Sequence, residues 1–198
     1  TRVRSSAASD VYKRQLLDCD LLVSSTDSHS SRAFVNQLSM QYWLPVIDVG
    51  VRVGTSLQGD VSGMPVEIRV LLPESGCMWC RGILDAARIR AELLPSEERS
   101  RLIAEGYVAA IDEPVPSLIA LNSLAASLAV VRLLQLWAVD DGQLGFIADP
   151  WEQYFQRLSS DRQSGCLCSE WRGRGDEVAL PFPPGSLDSA PIEDQSKS

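Results

Sequence analysis

The spacing of apolar and polar positions changes along the chain, and each change marks an element. Cys19 to Thr26 (CDLLVSST) is a short apolar run ending in small polar residues, the pattern of a buried parallel strand. Asp27 follows it. Ser28 or Ser30 can cap a helix running to about Trp43, with Phe34, Val35, Leu38 and Tyr42 on its apolar side and Pro45 as its stop. Val46 to Val53 (VIDVGVRV) reads as a second strand, so strand, helix and strand form a βαβ unit, whose crossover is expected to be right-handed. Gly59 to Gly63 is a turn, and Val66 to Leu72 alternates as a half-exposed strand does. Pro73 to Arg81 (PESGCMWCR) is a knuckle. Ile83 to about Gly106 is charged and partly helical, with a break at Pro95, as a mobile crossover would be. Pro114 and Pro116 precede a long apolar helix from Ser117 to Trp137. Asp140 to Gly142 is a turn, Leu144 to Ala148 a further strand, Trp151 to Arg162 an amphipathic stretch, and Gly165 to Glu170 holds the last cysteines. Trp137 and Trp151 read as core aromatics.

The two ends fall outside this pattern. Thr1 to Gln15 has neither helical nor strand periodicity and is basic, and its SSAASDVYKRQ resembles a translated sequencing-adapter artefact. On that reading the chain lacks its natural upstream part; the plainer reading is a disordered arm. After Leu180 the composition shifts to Pro, Ser, Asp and Lys, as in a disordered tail. The expected organisation is an arm over residues 1–15, one α/β domain over 16–181 and a tail over 182–198.

Composition narrows the function classes. The 198 residues are 45% hydrophobic and 22% charged, enough for one sizeable core. A net charge of -8 argues against gripping a nucleic-acid backbone. A single histidine, His29, excludes a site built from several imidazoles. No basic start with an apolar run marks a secretory signal. The segment from Ser117 to Trp137 carries Asn122, Arg132 and Gln135, which favours a buried helix over a membrane span. Paired cysteines without a signal point to a reducing, cytoplasmic compartment, and to metal rather than disulfides.

The strongest local chemistry is Cys77-x-x-Cys80 with Cys166-x-Cys168. A tight turn, eased by Gly76, aims two thiolates at one ion, and a second pair completes the tetrahedral sulfur shell of structural zinc. Free thiols or disulfides are the alternatives. Four sulfur ligands leave no open position, so such a zinc is structural, not catalytic. Asp27 ends a predicted strand, where α/β sheets bind ligands. It suits either a magnesium ion that also holds nucleotide phosphates or a helix N-cap. Arg32, one turn on, can pair with Asp27 or with phosphate. His29 reads as a surface or cap-adjacent residue, and Cys19 as the start of a buried strand. Neither Gly50-x-x-x-Gly54 nor Gly173-x-Gly175 meets the spacing and context of a phosphate loop.

These residues together resemble the ThiF/MoeB/HesA family, the ubiquitin-activating-type adenylyltransferases. The similarity rests on Thr26-Asp27-Ser28, Arg32, Asn36, Pro45-Val46-Ile47-Asp48-Val49-Gly50, both cysteine pairs and the stretch GYVAAIDEPVPSLIALNSLAASLAVVRLL, and it spans about Leu16 to Pro181. It implies the second half of a Rossmann-like nucleotide-binding domain, with a zinc-stapled C-terminal region. The implied activity is ATP-dependent adenylation of the C-terminal glycine of a ubiquitin-like or sulfur-carrier protein. In that reading Asp27 holds the magnesium of Mg-ATP and Arg32 supports the site. The family's Gly-rich loop and ATP-gripping arginines and lysine lie upstream of Asp27, so these residues alone are expected to be inactive. No transthiolation cysteine is evident. A homodimer is a further implication. The alternative is a non-catalytic, zinc-stapled α/β module that binds a ubiquitin-like partner or dimerises. An unrelated nucleic-acid-binding knuckle conflicts with the acidic balance.

Overall fold

Strands β1 (Leu22–Ser24) and β2 (Val46–Val51) are parallel, joined by helix α1 (His29–Tyr42). The computed structural model describes residues 13–56, 58–106, 118–138, 145–158 and 161–178. The expected turn at Asp140 to Gly142, the tail and most of the N-terminal arm lie outside them. Residues 13–17 form a helical turn, so the expected arm boundary at 15 falls inside an ordered element.

Local chemistry explains α1. The Ser28 hydroxyl accepts the Ser31 backbone N–H as N-cap, and the helix ends at Trp43, in left-handed conformation (φ 61°), before Pro45. Asp27 is therefore not the cap.

Past β2 the sheet turns antiparallel. A small hairpin, β3 (Gly54–Thr55) with β4 (Val61–Gly63), reverses the chain into β5 (Val66–Leu71), which pairs with β2. The expectation of a bare turn at Gly59 to Gly63 missed these two short strands, which carry too few apolar residues to register as strands. Helices α2 (Ala86–Glu92) and α3 (Ser96–Ala104) follow, with the break at Pro95. Then come α4 (Ile119–Ala138), β6 (Gly145–Asp149) and the edge strand β7 (Tyr154–Arg157). The main sheet has the order β1-β2-β5-β6-β7, and only its β1–β2 pair is parallel. The architecture is thus mixed α/β on a mixed sheet. Gly145 makes the β5–β6 approach possible: at φ 133°, a Cβ there would lie 2.1 Å from the Ile68 carbonyl oxygen.

Period-two alternation assigns the faces. Ile47, Val66, Ile68 and Val70 are fully buried on one face, against Leu121, Ala125 and Ala129 of α4. Each such aliphatic side chain contributes about 1.5–3 kcal/mol on transfer from water. Because β5 also has its other face covered, it is more enclosed than the half-exposed strand its alternation suggests. Val46 and Leu71 face the other way, into a core shared with Leu38, Met40, Met78 and the cysteines Cys77, Cys80 and Cys168.

Helix α4 differs from the expected buried helix. Leu121, Ala125, Ala129 and Arg132 are buried, while Ile119, Val130, Val131, Leu134 and Trp137 are exposed. It is the one described helix long and apolar enough to cross a membrane, by length and composition only. Trp137 and Trp151 are exposed rather than core. The C-terminal segment, α5 (Cys168–Trp171) and the 3-10 turn Gly175–Glu177, runs along α1. The buried Gln41 amide donates to the carbonyls of Gly175 and Val178, and Tyr42 donates to Asp176 at 2.7 Å.

Candidate metal centre

The knuckle forms because β5 ends in a tight turn that is short of sheet partners and rich in side-chain anchors. Ser75 hydrogen-bonds back to Leu72, and the Arg81, Gly82 and Ile83 backbone N–H groups return to Cys77, Trp79 and Met78. The left-handed residue that closes the turn is Gly82 (φ 66°), after the second cysteine; Gly76 has no positive φ. Asn36, wholly buried in α1, accepts the Met78 backbone N–H on its side-chain oxygen at 2.7 Å and so pins the knuckle to the helix.

The second pair approaches from the far end of the chain. Cys166 lies within 3.7 Å of Cys77 and Cys168 within 3.7 Å of Cys80, the same separation as Cys77 from Cys80, sulfur to sulfur. All four sulfurs fall within 4.8 Å of one another, and none is disulfide-bonded. Tetrahedral ligands at the usual zinc–sulfur distance of about 2.3 Å would stand about 3.8 Å apart. The quartet could therefore hold a metal ion such as zinc, and the predicted pairing of the two distant segments is what the fold contains. Cys77, Cys80 and Cys168 are buried and Cys166 is partly so.

Electrostatics at the site follow from crowding and burial. Burial pushes the Cys77 and Cys166 thiols up. It pushes Cys80 the same way, but the backbone N–H of Gln163, with hydrogen bonds from Cys166 and Cys77, outweighs it and brings Cys80 down to about 7. Gln163 also donates its side-chain amide to the Cys80 carbonyl at 2.6 Å. Four sulfurs this close, three of them on buried residues, cannot all ionise without a cation among them.

Asp27 stands elsewhere. It lies in the loop between β1 and α1, beyond the carboxyl end of β1, exposed and without a protein partner among the described residues. Arg32 does not pair with it. Its side chain turns toward the sheet, where its Nε lies 3.5 Å from the Asp48 carboxylate. Asp48, fully buried on β2, also takes a 3.0 Å bond from Arg69, its cross-strand partner, and Arg69 in turn pairs with Glu67. Burial lowers the Arg69 pKa, and Asp48 opposes that shift. Gly50 lies beside both guanidinium groups, and a Cβ there would meet them at 3.4 and 3.7 Å, ordinary contact distances. The Asp48 carboxylate, buried and already paired with Arg69, holds the arginine more firmly than the exposed Asp27 can. Sequence reading gave Asp48 and Asn36 no role beyond their place in the resemblance and passed over Gln163; a charged residue in the middle of an apolar strand was the signal available for Asp48.

His29 is the first residue of α1. Its Nδ1 accepts the Asp85 backbone N–H at 3.2 Å, and its own N–H, with that of Ser30, donates to Glu92. This is the cap-adjacent position expected. Cys19 is exposed and precedes β1, so it does not start a buried strand. An apolar groove of about 320 Å3, lined by Leu124, Leu128, Ala148 and Phe155 among others, lies on the α4 side of the sheet, away from these groups.

No protein-family model and no curated protein matches the chain.

Proposed function

We propose that this chain is the zinc-stapled portion of an adenylyltransferase resembling the ThiF/MoeB/HesA family, acting on the C-terminal glycine of a ubiquitin-like or sulfur-carrier protein. The observation that carries the reading is the loop after β1. There Thr26-Asp27-Ser28 presents a carboxylate free of protein partners, directly ahead of α1 and beside a parallel strand pair. Such a group suits magnesium, which keeps several waters and takes one or two carboxylates together with substrate phosphates. Bound there, Mg-ATP would supply an α-phosphate for the carrier's terminal carboxylate to attack, with pyrophosphate leaving.

The chain's own residues have simpler tasks. Asp27 holds the ion. Asp48 orients Arg32 by a buried charge pair and keeps it at the α1–sheet boundary. The quartet Cys77, Cys80, Cys166 and Cys168 holds zinc with no open position, so the ion fastens the C-terminal segment to the knuckle and does no chemistry. Thiolate ligation goes with a reducing, cytoplasmic compartment.

ATP–pyrophosphate exchange tests the reading, measured with this chain joined to a Gly-rich, ATP-gripping half and a carrier ending in glycine. Asp27→Asn should abolish exchange while zinc content stays at about one ion per chain. Exchange retained in that variant would remove Asp27 from the reaction.

A further inference from the structure

The cysteine quartet has a neighbour that the motif spacing does not include. Arg172 directly follows α5. Its Nη2 donates to the Ser75 carbonyl at 3.0 Å and reaches the Cys168 sulfur at 3.6 Å. The Nε and Nη1 of the same guanidinium are buried and meet no acceptor among the described residues. No carboxylate lies within ion-pair distance of it among them.

A guanidinium keeps its charge, and a buried cation with unused donors is costly unless negative charge lies close by. Four neutral thiols offer none. Four thiolates on a divalent ion carry a net charge of about −2. A second arginine stands on the knuckle side: Arg81 donates to the carbonyls of Gly76 at 3.0 Å and Val70 at 2.8 Å. Arg81 keeps its charge at neutral pH, as a guanidinium does. With a divalent ion bound, two guanidinium charges would stand beside one doubly anionic cluster. Arg172 differs from Arg81 in bridging the halves, since Ser75 belongs to the knuckle and Cys168 to the distant pair.

We propose that Arg172 is a positioning residue of the metal centre, its Nη2 shared between the Cys168 sulfur and the Ser75 carbonyl while its charge offsets a metal tetrathiolate. This rests on the zinc reading above. Loss of such outer partners weakens metal binding about 10- to 100-fold in metal sites generally.

The test uses the whole reduced chain and Zn2+ alone, in competition with a chromophoric chelator at fixed pH. Arg172→Gln should bind Zn2+ about 10- to 100-fold more weakly, and Arg172→Lys, which keeps the charge but not the planar guanidinium, should recover part of that. The unfolding midpoints of zinc-stripped wild type and Arg172→Gln should coincide, while the zinc-loaded midpoints separate. Equal Zn2+ affinity in wild type and Arg172→Gln overturns the proposal, as does an equal loss of stability with and without zinc. Should Arg172→Gln not accumulate as folded protein, the Lys variant decides, and wild-type affinity there overturns the guanidinium's positioning role. A wild-type chain that binds no Zn2+ overturns the zinc reading itself, a result distinct from the others.

Discussion

On the α4 side of the sheet, Ile47, Val66, Ile68 and Val70 meet Leu121, Ala125 and Ala129, and the buried Arg132 of α4 is the charged exception. On the α1 side the same two strands present Asp48, Glu67 and Arg69, and the layer is completed by Arg32, Asn36 and four cysteines. The first face is held by transfer from water, which is non-directional and tolerant of small shifts. The second is held by directed contacts, each of which leaves a buried polar group stranded if its partner goes. The contrast teaches that one sheet can separate bulk stability from geometric definition: the dry side supplies the first and the polar side the second.

Breaking the metal centre should have the largest effect. Cys80→Ser should cost the chain its zinc and, with zinc at a thousandfold excess over its Kd, about 4 kcal/mol of stability. Elemental analysis and thermal unfolding check this, and a variant with unchanged zinc content and melting temperature would contradict it. Chelation should reproduce the loss in wild type and add nothing in the variant. Asp48→Ala comes next, because it leaves the Arg32 and Arg69 charges without their shared partner; the expected cost is about 3–5 kcal/mol by denaturant unfolding. Ile68→Ala on the dry face should cost about 2–5 kcal/mol. Its distinguishing mark is that the loss is the same with and without chelator; a metal-dependent loss would mean the two faces are coupled. The smallest effect concerns His29. Its Nδ1 accepts the Asp85 N–H only when neutral, and burial, opposed by Glu92, holds its pKa below the ordinary 6.5. A folded pKa below the unfolded one means the contact's contribution is complete above about pH 6.5 and is lost as pH falls through the folded value. Denaturant midpoints across that range should therefore drop more in wild type than in His29→Asn.

The legible parts of the molecule were those written in short stretches of sequence. The α1 span, its Ser28 cap and its stop before Pro45 follow from local chemistry, as does the break at Pro95 between α2 and α3. The two cysteine pairs declared themselves by spacing, and their convergence into one quartet followed from the ligand count a metal needs. The hairpin β3–β4 was hidden because strands of two and three residues carry too short a pattern to read.

What the sequence determined by itself, then, were the longer elements and the set of sulfur ligands, because both depend on residues near one another in the chain or on a motif's internal spacing. The tertiary structure alone decided which way the long-range contacts ran. Arg32 could be placed on α1 from its sequence, but its choice of Asp48 over Asp27 needed β2 to pass beneath the helix. The outward face of α4, and the place of Arg172 beside Cys168, likewise depend on how elements far apart in the chain pack. A side chain's partner is set by where the backbone brings charge and burial together, and that information is absent from any local pattern.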